Sequence, residues 1–416
     1  MLSNNDTAKN SSIRSGFIWN TLGSGMTAAN SVLMLMAVSR TADLDTVGAF
    51  SISLTTSQLL YVVALFAVND FQMTDYNHEY SFRCYFRAKI ITSLLCVLCC
   101  VAGIILLEFS SIKVSLTALL TAFMLVNSLA ELYQSQFFQY GRVDLAGKAL
   151  FFRYLISTLF FLAGIVLGCP IVNSCLFMIM ANMAATWVWC IRPIGSFVGP
   201  ENDREGNVRQ LLIRNIPLFM SALGSLVVIN APKYIINAVS SDQIQGIFGI
   251  LFMPTAVINL IGMFIYKPFL IRYASVIEEN DSRFLHMLLF HISLVLAFSL
   301  FCAAFMWIAG IPFLKLLFGV DLNEYRTEMM LFMFAGGVMA INQLLYYLLV
   351  ILRKQNSIMI CYVLGVVTAL VSGMMLIPKL EVRGAFCSFA VSQLIMMLIY
   401  GMILIRYRVF DIRKAN

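Results

Sequence analysis

Charge is what this chain has least of. Asp, Glu, Lys and Arg together make up only 12% of its 416 residues, about half the soluble average of ~25%. That composition does not suit a water-soluble globule. Histidine is nearly missing as well: His78, His286 and His291 are the whole set, and none is paired at metal-ligand spacing. No glycine-rich phosphate loop, nucleophile elbow or soluble domain is present to hold a nucleotide, so transport powered by ATP bound to this chain is excluded. The ten cysteines do not form an extracellular disulfide framework, because nearly all lie in apolar stretches. Cys96, Cys99 and Cys100 share one such stretch and read as small apolar residues rather than metal ligands. Cys169 alone stands near an outer loop. No cofactor and no metal is expected. No cleavable signal is expected, since the start, MLSNNDTAKNSSIR, is polar and the first apolar stretch is long enough to span a membrane.

Apolar residues account for 60% of the chain and fall into twelve stretches: 16–38, 47–69, 90–107, 114–138, 149–168, 171–191, 215–238, 244–266, 287–309, 327–350, 357–377 and 384–405. A helix needs ~20 mostly apolar residues to cross a hydrocarbon core of ~30 Å, and these stretches are of that order. The cations are distributed unevenly between the gaps. The tails and even-numbered gaps, with Arg153 just inside the fifth stretch, hold 21 of the 28 Lys and Arg residues, and the other side holds 7. Positive charge marks the cytoplasmic side, so both termini are expected there. The net charge of +7 sits in these short loops. It points to anionic membrane lipid as a partner, and no nucleic-acid partner is expected.

The polar run GPENDREGN (199–207) follows the sixth stretch and divides the chain. The expected organisation is an all-α membrane protein with an N-terminal six-helix bundle at 1–198, a cytoplasmic linker at 199–209 and a C-terminal six-helix bundle at 210–416. The halves read as repeats. Arg14 is echoed by Arg214, Leu22-Gly23-Ser24 by Leu223-Gly224-Ser225, and Asn30 by Asn230. The run from Asp45 to Phe50 is echoed by Asp242 to Phe248. An even number of helices per half makes these parallel repeats, which suits a cavity that opens to either side in turn.

Ionisable groups within the spans need a reason, because burying one at a helix centre costs ~2.5–3.5 kcal/mol on insertion scales. Lys233 stands in Asn230-Ala231-Pro232-Lys233-Tyr234, where Pro232 removes a backbone donor and is expected to bend or break the helix. A cation there suits an anionic group such as a phosphate; alternatively, its stem carries the ammonium to the outer interface. Arg14 and Arg214 occupy matching positions at the inner mouth, either as topological charges or as cations that meet an arriving headgroup. Glu131 and Arg153 fall at similar depth, and a structural ion pair is expected ahead of ion coupling. Asn20, Asn30, Asn259, Asn342 and Gln343 read mostly as interhelical hydrogen-bonding groups.

The segment from Arg214 to Tyr273 resembles the second-half entry of the polysaccharide flippases, bacterial exporters of lipid-linked O-antigen and capsule repeat units. The runs that carry the resemblance are Ile216-Pro217-Leu218-Phe219, Asn230 to Tyr234, Gly246-Ile247-Phe248 and Phe252-Met253-Pro254. Gly141-Arg142 to Lys148 and Arg383-Gly384-Ala385 are also similar. The likeness covers the whole chain in architecture and about a third of it in motif. It implies the multidrug/oligosaccharidyl-lipid/polysaccharide (MOP) exporter fold, two six-helix bundles around a central and often cationic cavity. It also implies an undecaprenyl-pyrophosphate oligosaccharide as substrate, moved from inner to outer leaflet by alternating access, with no enzymatic step. Lys233, Arg214, Arg14, Asn230, Tyr234 and Arg153 are the candidate substrate-binding residues, and other membrane proteins of polysaccharide assembly are candidate partners. The chain departs from the pattern in having few cations within its spans beyond Lys233 and Arg153.

Two alternatives stay open. Cation-coupled drug export on the same fold usually uses an acidic group in the membrane, and Glu131 is the one deep candidate. A polymerase or acyltransferase of the same pathway would need a large outer loop, whereas the longest gap on that side is 310–326, or a buried histidine, for which His291 is the nearest fit.

Overall fold

The computed structural model describes residues 2–75, 78–194, 206–279 and 283–415. The described residues are helical and contain no strand. The helices are α1 (Leu2–Thr41), α2 (Leu44–Leu65), α3 (Val68–Thr74), α4 (Phe82–Leu106), α5 (Ser111–Gln139), α6 (Val143–Val166), α7 (Ile171–Ile194), α8 (Val208–Val239), α9 (Asp242–Tyr266), α10 (Leu270–Glu278), α11 (Arg283–Phe318), α12 (Arg326–Ile351) and α13 (Gln355–Ala415). Among the described residues, eleven helical runs are long and apolar enough to cross a membrane. The last of them holds two crossings, because α13 reverses at Glu381, which takes a left-handed φ of 48°. Ser372 donates to Ser388 across this hairpin at 3.0 Å, and Ser388 donates to the Ala369 carbonyl at 2.9 Å. The two arms match the sequence stretches 357–377 and 384–405. This is a multi-pass membrane protein.

Helix ends differ from the apolar boundaries in an informative way. α4 begins at Phe82, with the Ser81 hydroxyl capping the Cys84 amide, so Arg83, Arg87 and Lys89 lie inside the helix and not in a loop. α11 likewise runs on to Phe318, well past the apolar stretch 287–309. In α4 the helix holds where hydropathy has fallen, because a charged side chain at an interface does not cost the helix its ladder, whereas the Ile311–Phe318 end of α11 is itself apolar.

The chain forms two compact units. The first comprises Met1–Asp43 and Ala49–Phe219, and the second Leu44–Gly48 and Met220–Asn416. The division falls within α8, while residues 199–205 of the expected linker lie outside the described residues. In the first unit α1 packs closely on α6 through glycine. A Cβ on Gly147 would come within 2.5 Å of the Asn20 amide, and one on Gly23 would press on Leu150 at 3.0 Å. Trp19, Phe151, Phe152 and Trp189 form an aromatic stack beside this contact. In the second unit α9, α12 and α13 enclose a core with Tyr266, Ala340, Leu344, Leu348, Cys361 and Tyr400 wholly or nearly buried. The outward faces are apolar: Leu98 on α4 is 67% exposed and Phe301 on α11 68%. Such surfaces match lipid and not water.

Candidate functional site

Asn230, Lys233 and Tyr234, on α8, sit in the second unit. α8 runs unbroken through Pro217 and Pro232, so the break expected at Pro232 does not occur. Proline there leaves the Val228 carbonyl without its helical donor. Two residues before Pro232, the Asn230 side-chain amide donates to the Leu226 carbonyl at 3.0 Å, so local side-chain bonding supports the backbone beside the proline. Asn230 is buried and Tyr234 half-buried. Lys233 is 9% exposed, and its ammonium lies 5.2 Å from the centre of the Phe252 ring on α9. An aromatic face stabilises a cation in part.

Arg214 belongs to the first unit, near the start of α8. It is exposed, donates to Glu79 at 2.8 Å and stacks over the Phe71 ring at 4.8 Å. The Arg14 side chain lies outside the described residues. Arg153, on α6 in the first unit, is wholly buried. Its guanidinium donates once, to the Asn127 carbonyl at 3.3 Å, and its Nε and second Nη have no partner. The expected ion pair with Glu131 does not form. The half-buried Glu131 carboxylate instead accepts a short hydrogen bond from the Tyr61 hydroxyl on α2, and Arg153 acts on it only through space. The backbone carbonyl of Asn127, one turn from Glu131 on α5, captures the guanidinium first. Asn127 also accepts from the Asn182 amide on α7 at 3.1 Å, so α5, α6 and α7 meet at a polar knot.

Lys89 is a residue that sequence reading placed in a loop. It is 1% exposed, and its ammonium donates to the Ala64 carbonyl (3.2 Å), Asn69 Oδ1 (2.7 Å) and the Ser128 hydroxyl (3.2 Å). α2 ends just beyond Ala64, with Phe66 and Ala67 both in the left-handed region. Carbonyls freed at such an end attract a cation, which also suits the helix dipole. The sequence did hold the signal: Tyr85, Ala88, Thr92 and Cys96 share a helical face, and Lys89 falls on it.

Among the described residues no cluster of three or more His, Cys, Asp or Glu could hold a metal ion, and the ten cysteines are unpaired.

The chain matches no protein-family model and no curated protein. Solved structures do resemble it. An inward-facing multidrug-resistance MATE transporter of the MOP superfamily superposes with a TM-score of 0.72 at 12% identity, over 94% of this chain and 96% of that one. The MATE multidrug transporter DinF-BH, solved as a complex, gives 0.67 at 13% identity over 95% of both chains. A MOP superfamily transporter from Pyrococcus furiosus, whose reversed pocket polarity suggests a different function, gives 0.56 at 12% identity over 96% of both chains. Agreement over almost the full length of each pair gives this chain the fold of the MOP superfamily transporters.

Proposed function

We propose that this protein is an alternating-access transporter that moves an undecaprenyl-pyrophosphate-linked oligosaccharide from the inner to the outer leaflet of a bacterial cytoplasmic membrane. The observation that carries the reading is Lys233, a lysine 9% exposed within a helix that crosses the membrane, beside Phe252 and one turn from Asn230. Burying an ammonium at that depth is costly, and a pyrophosphate passing the helix would offset the cost. Two parallel six-helix halves, both termini in the cytoplasm and first contact at Arg14 and Arg214 complete the proposal. The fold is shared with transporters solved inward- and outward-facing, which supports alternating access here.

The test is lipid-linked repeat units in cells lacking the gene, complemented with wild type or Lys233→Ala. The expected result is accumulation on the cytoplasmic leaflet without the gene, relieved by wild type and not by Lys233→Ala at equal membrane level. Normal surface glycan without the gene would overturn the reading.

A second reading, cation-coupled export of drugs on the same fold, is favoured by the half-buried Glu131 with its Tyr61 hydrogen bond. A protonatable carboxylate inside a helical bundle is the group such coupling needs.

A further inference from the structure

Away from the α8 residues, the second unit holds a cleft of about 510 Å³ between α10 and the first turns of α11. Its charged lining is Arg272, Arg283, His286 and Glu279, and Phe269 and Phe290 contribute ring faces. His291 also lines it and is 2% exposed. His291 Nδ1 lies 2.8 Å from the Met287 carbonyl, which can only accept, so the proton is assigned to Nδ1. The Tyr273 hydroxyl, 3.0 Å from Nδ1, donates to the same carbonyl at 3.1 Å. The ring is further held by Phe269 and Phe290, at 4.8 and 5.5 Å between centres. All of this fixes one nitrogen and leaves the other, Nε2, buried and without a partner. Buried polar atoms are normally satisfied, so an orphan on a residue that lines a cleft marks a missing partner.

We propose that this cleft binds the phosphate headgroup of an anionic phospholipid. Arg272 and Arg283 supply the charge and fork geometry for a phosphate, and His291 Nε2, an acceptor in this tautomer, takes a hydrogen bond from a hydroxyl of the headgroup beyond the phosphate. One ordered water could satisfy Nε2, but the cleft is far larger than a water molecule. A lipid, and not a soluble phosphate ester, fits the surface that continues from the cleft. Leu285, Leu289, Leu296 and Leu300 follow one another along α11, between 44% and 57% exposed, and offer an acyl chain a continuous apolar stripe. The gap that holds α10 is also one that the charge bias assigns to the cytoplasmic face, where anionic lipid concentrates.

Native mass spectrometry of the purified full chain, delipidated and exposed to equal phosphatidylglycerol and phosphatidylcholine, tests this. The expected result is selective retention of phosphatidylglycerol, reduced about tenfold or more in Arg272→Gln/Arg283→Gln. Two substitutions separate a ligand contact from a packing role. His291→Asn keeps an amide where Nδ1 stands but has nothing at Nε2, so it weakens retention; His291→Gln reaches the Nε2 position and retains more. Glu279→Gln removes the opposing charge and strengthens retention. Equal retention of both lipids, or unchanged retention in the double arginine variant, would overturn the site. Displacement of the lipid by glycerol 3-phosphate at equal concentration would overturn the lipid assignment in favour of a soluble phosphate ester.

Discussion

Gly48 and Gly246 occupy reciprocal positions in the second unit. A Cβ on Gly48 would fall on the carbonyl oxygen of Asp242, and one on Gly246 would lie 2.9 Å from the carbonyl oxygen of Leu44. One offset of 198 residues relates Gly48 to Gly246 and Leu44 to Asp242. It is also the offset that relates the two helix-entry motifs in the sequence, which gives those motifs a physical purpose: each lets a backbone approach a carbonyl.

Gly48→Ala is therefore expected to destabilise the protein by about 1–3 kcal/mol or more, because the atom it meets is backbone and cannot swing aside. Gly246→Ala should cost less. Gly25 is the control: nothing lies within 4 Å of a Cβ there, so Gly25→Ala in mid-helix should gain up to ~1 kcal/mol. Labelling of the buried Cys84, Cys190 and Cys361 on heating reports unfolding. Equal melting of Gly48→Ala and Gly25→Ala would disprove the close approach.

Legibility in the sequence followed the strength of each physical signal. The twelve crossings could be read because so long an apolar run suits little besides a passage through lipid. The hairpin at Glu381 is invisible to hydropathy as a turn, yet the charges of Lys379, Glu381 and Arg383 still separated its two arms. Helix ends were less legible: α4 takes in Arg83, Arg87 and Lys89 because capping at Ser81, and not hydropathy, sets its start. At the site, Lys233 and Asn230 were singled out because charge and proline are conspicuous in an apolar run. Tyr61 and the pairing of Glu131 were not, since a hydrogen bond between α2 and α5 depends on packing that no local pattern encodes.

Lys89→Met tests the capping role. The substitution keeps length and removes an ammonium that donates to three oxygens, so a loss of about 1.5–3 kcal/mol is expected, as for hydrogen bonds to charged groups. Thr92 and Ser128 still donate to the Ala64 carbonyl, at 2.9 and 3.2 Å, so the protein should remain folded and melt earlier. Unchanged melting would mean that water or the hydroxyls replace the lysine fully.

Glu131→Gln and Tyr61→Phe separate coupling from packing. Gln preserves an acceptor for Tyr61 and removes the titratable group; Phe removes the donor and leaves the carboxylate. If Glu131 couples transport to a cation, Glu131→Gln abolishes the response of transport to an imposed pH or sodium gradient, while Tyr61→Phe only shifts it. If both variants melt earlier and transport responds to either gradient as in wild type, the carboxylate is structural.

Arg383 and Glu328 make the last case, because one partner is buried and the other is not. Glu328, at the start of α12, is 5% exposed and one of its oxygens has no hydrogen bond, whereas the Arg383 side chain beside the Glu381 turn is 60% exposed. Removing the arginine leaves a carboxylate stranded at a buried position, and removing the carboxylate leaves an arginine that water solvates readily. Arg383→Gln should therefore destabilise more than Glu328→Gln. The difference should be about 1–2 kcal/mol, below the 3–5 of a fully buried pair because water reaches the guanidinium. The double variant should lie near Glu328→Gln, since with no carboxylate the arginine has little left to do. A double-mutant cycle on thermal unfolding reads all three values. The opposite order, with Glu328→Gln the worse, would mean that the carboxylate stabilises the start of α12 through the helix dipole and not through its pair with Arg383.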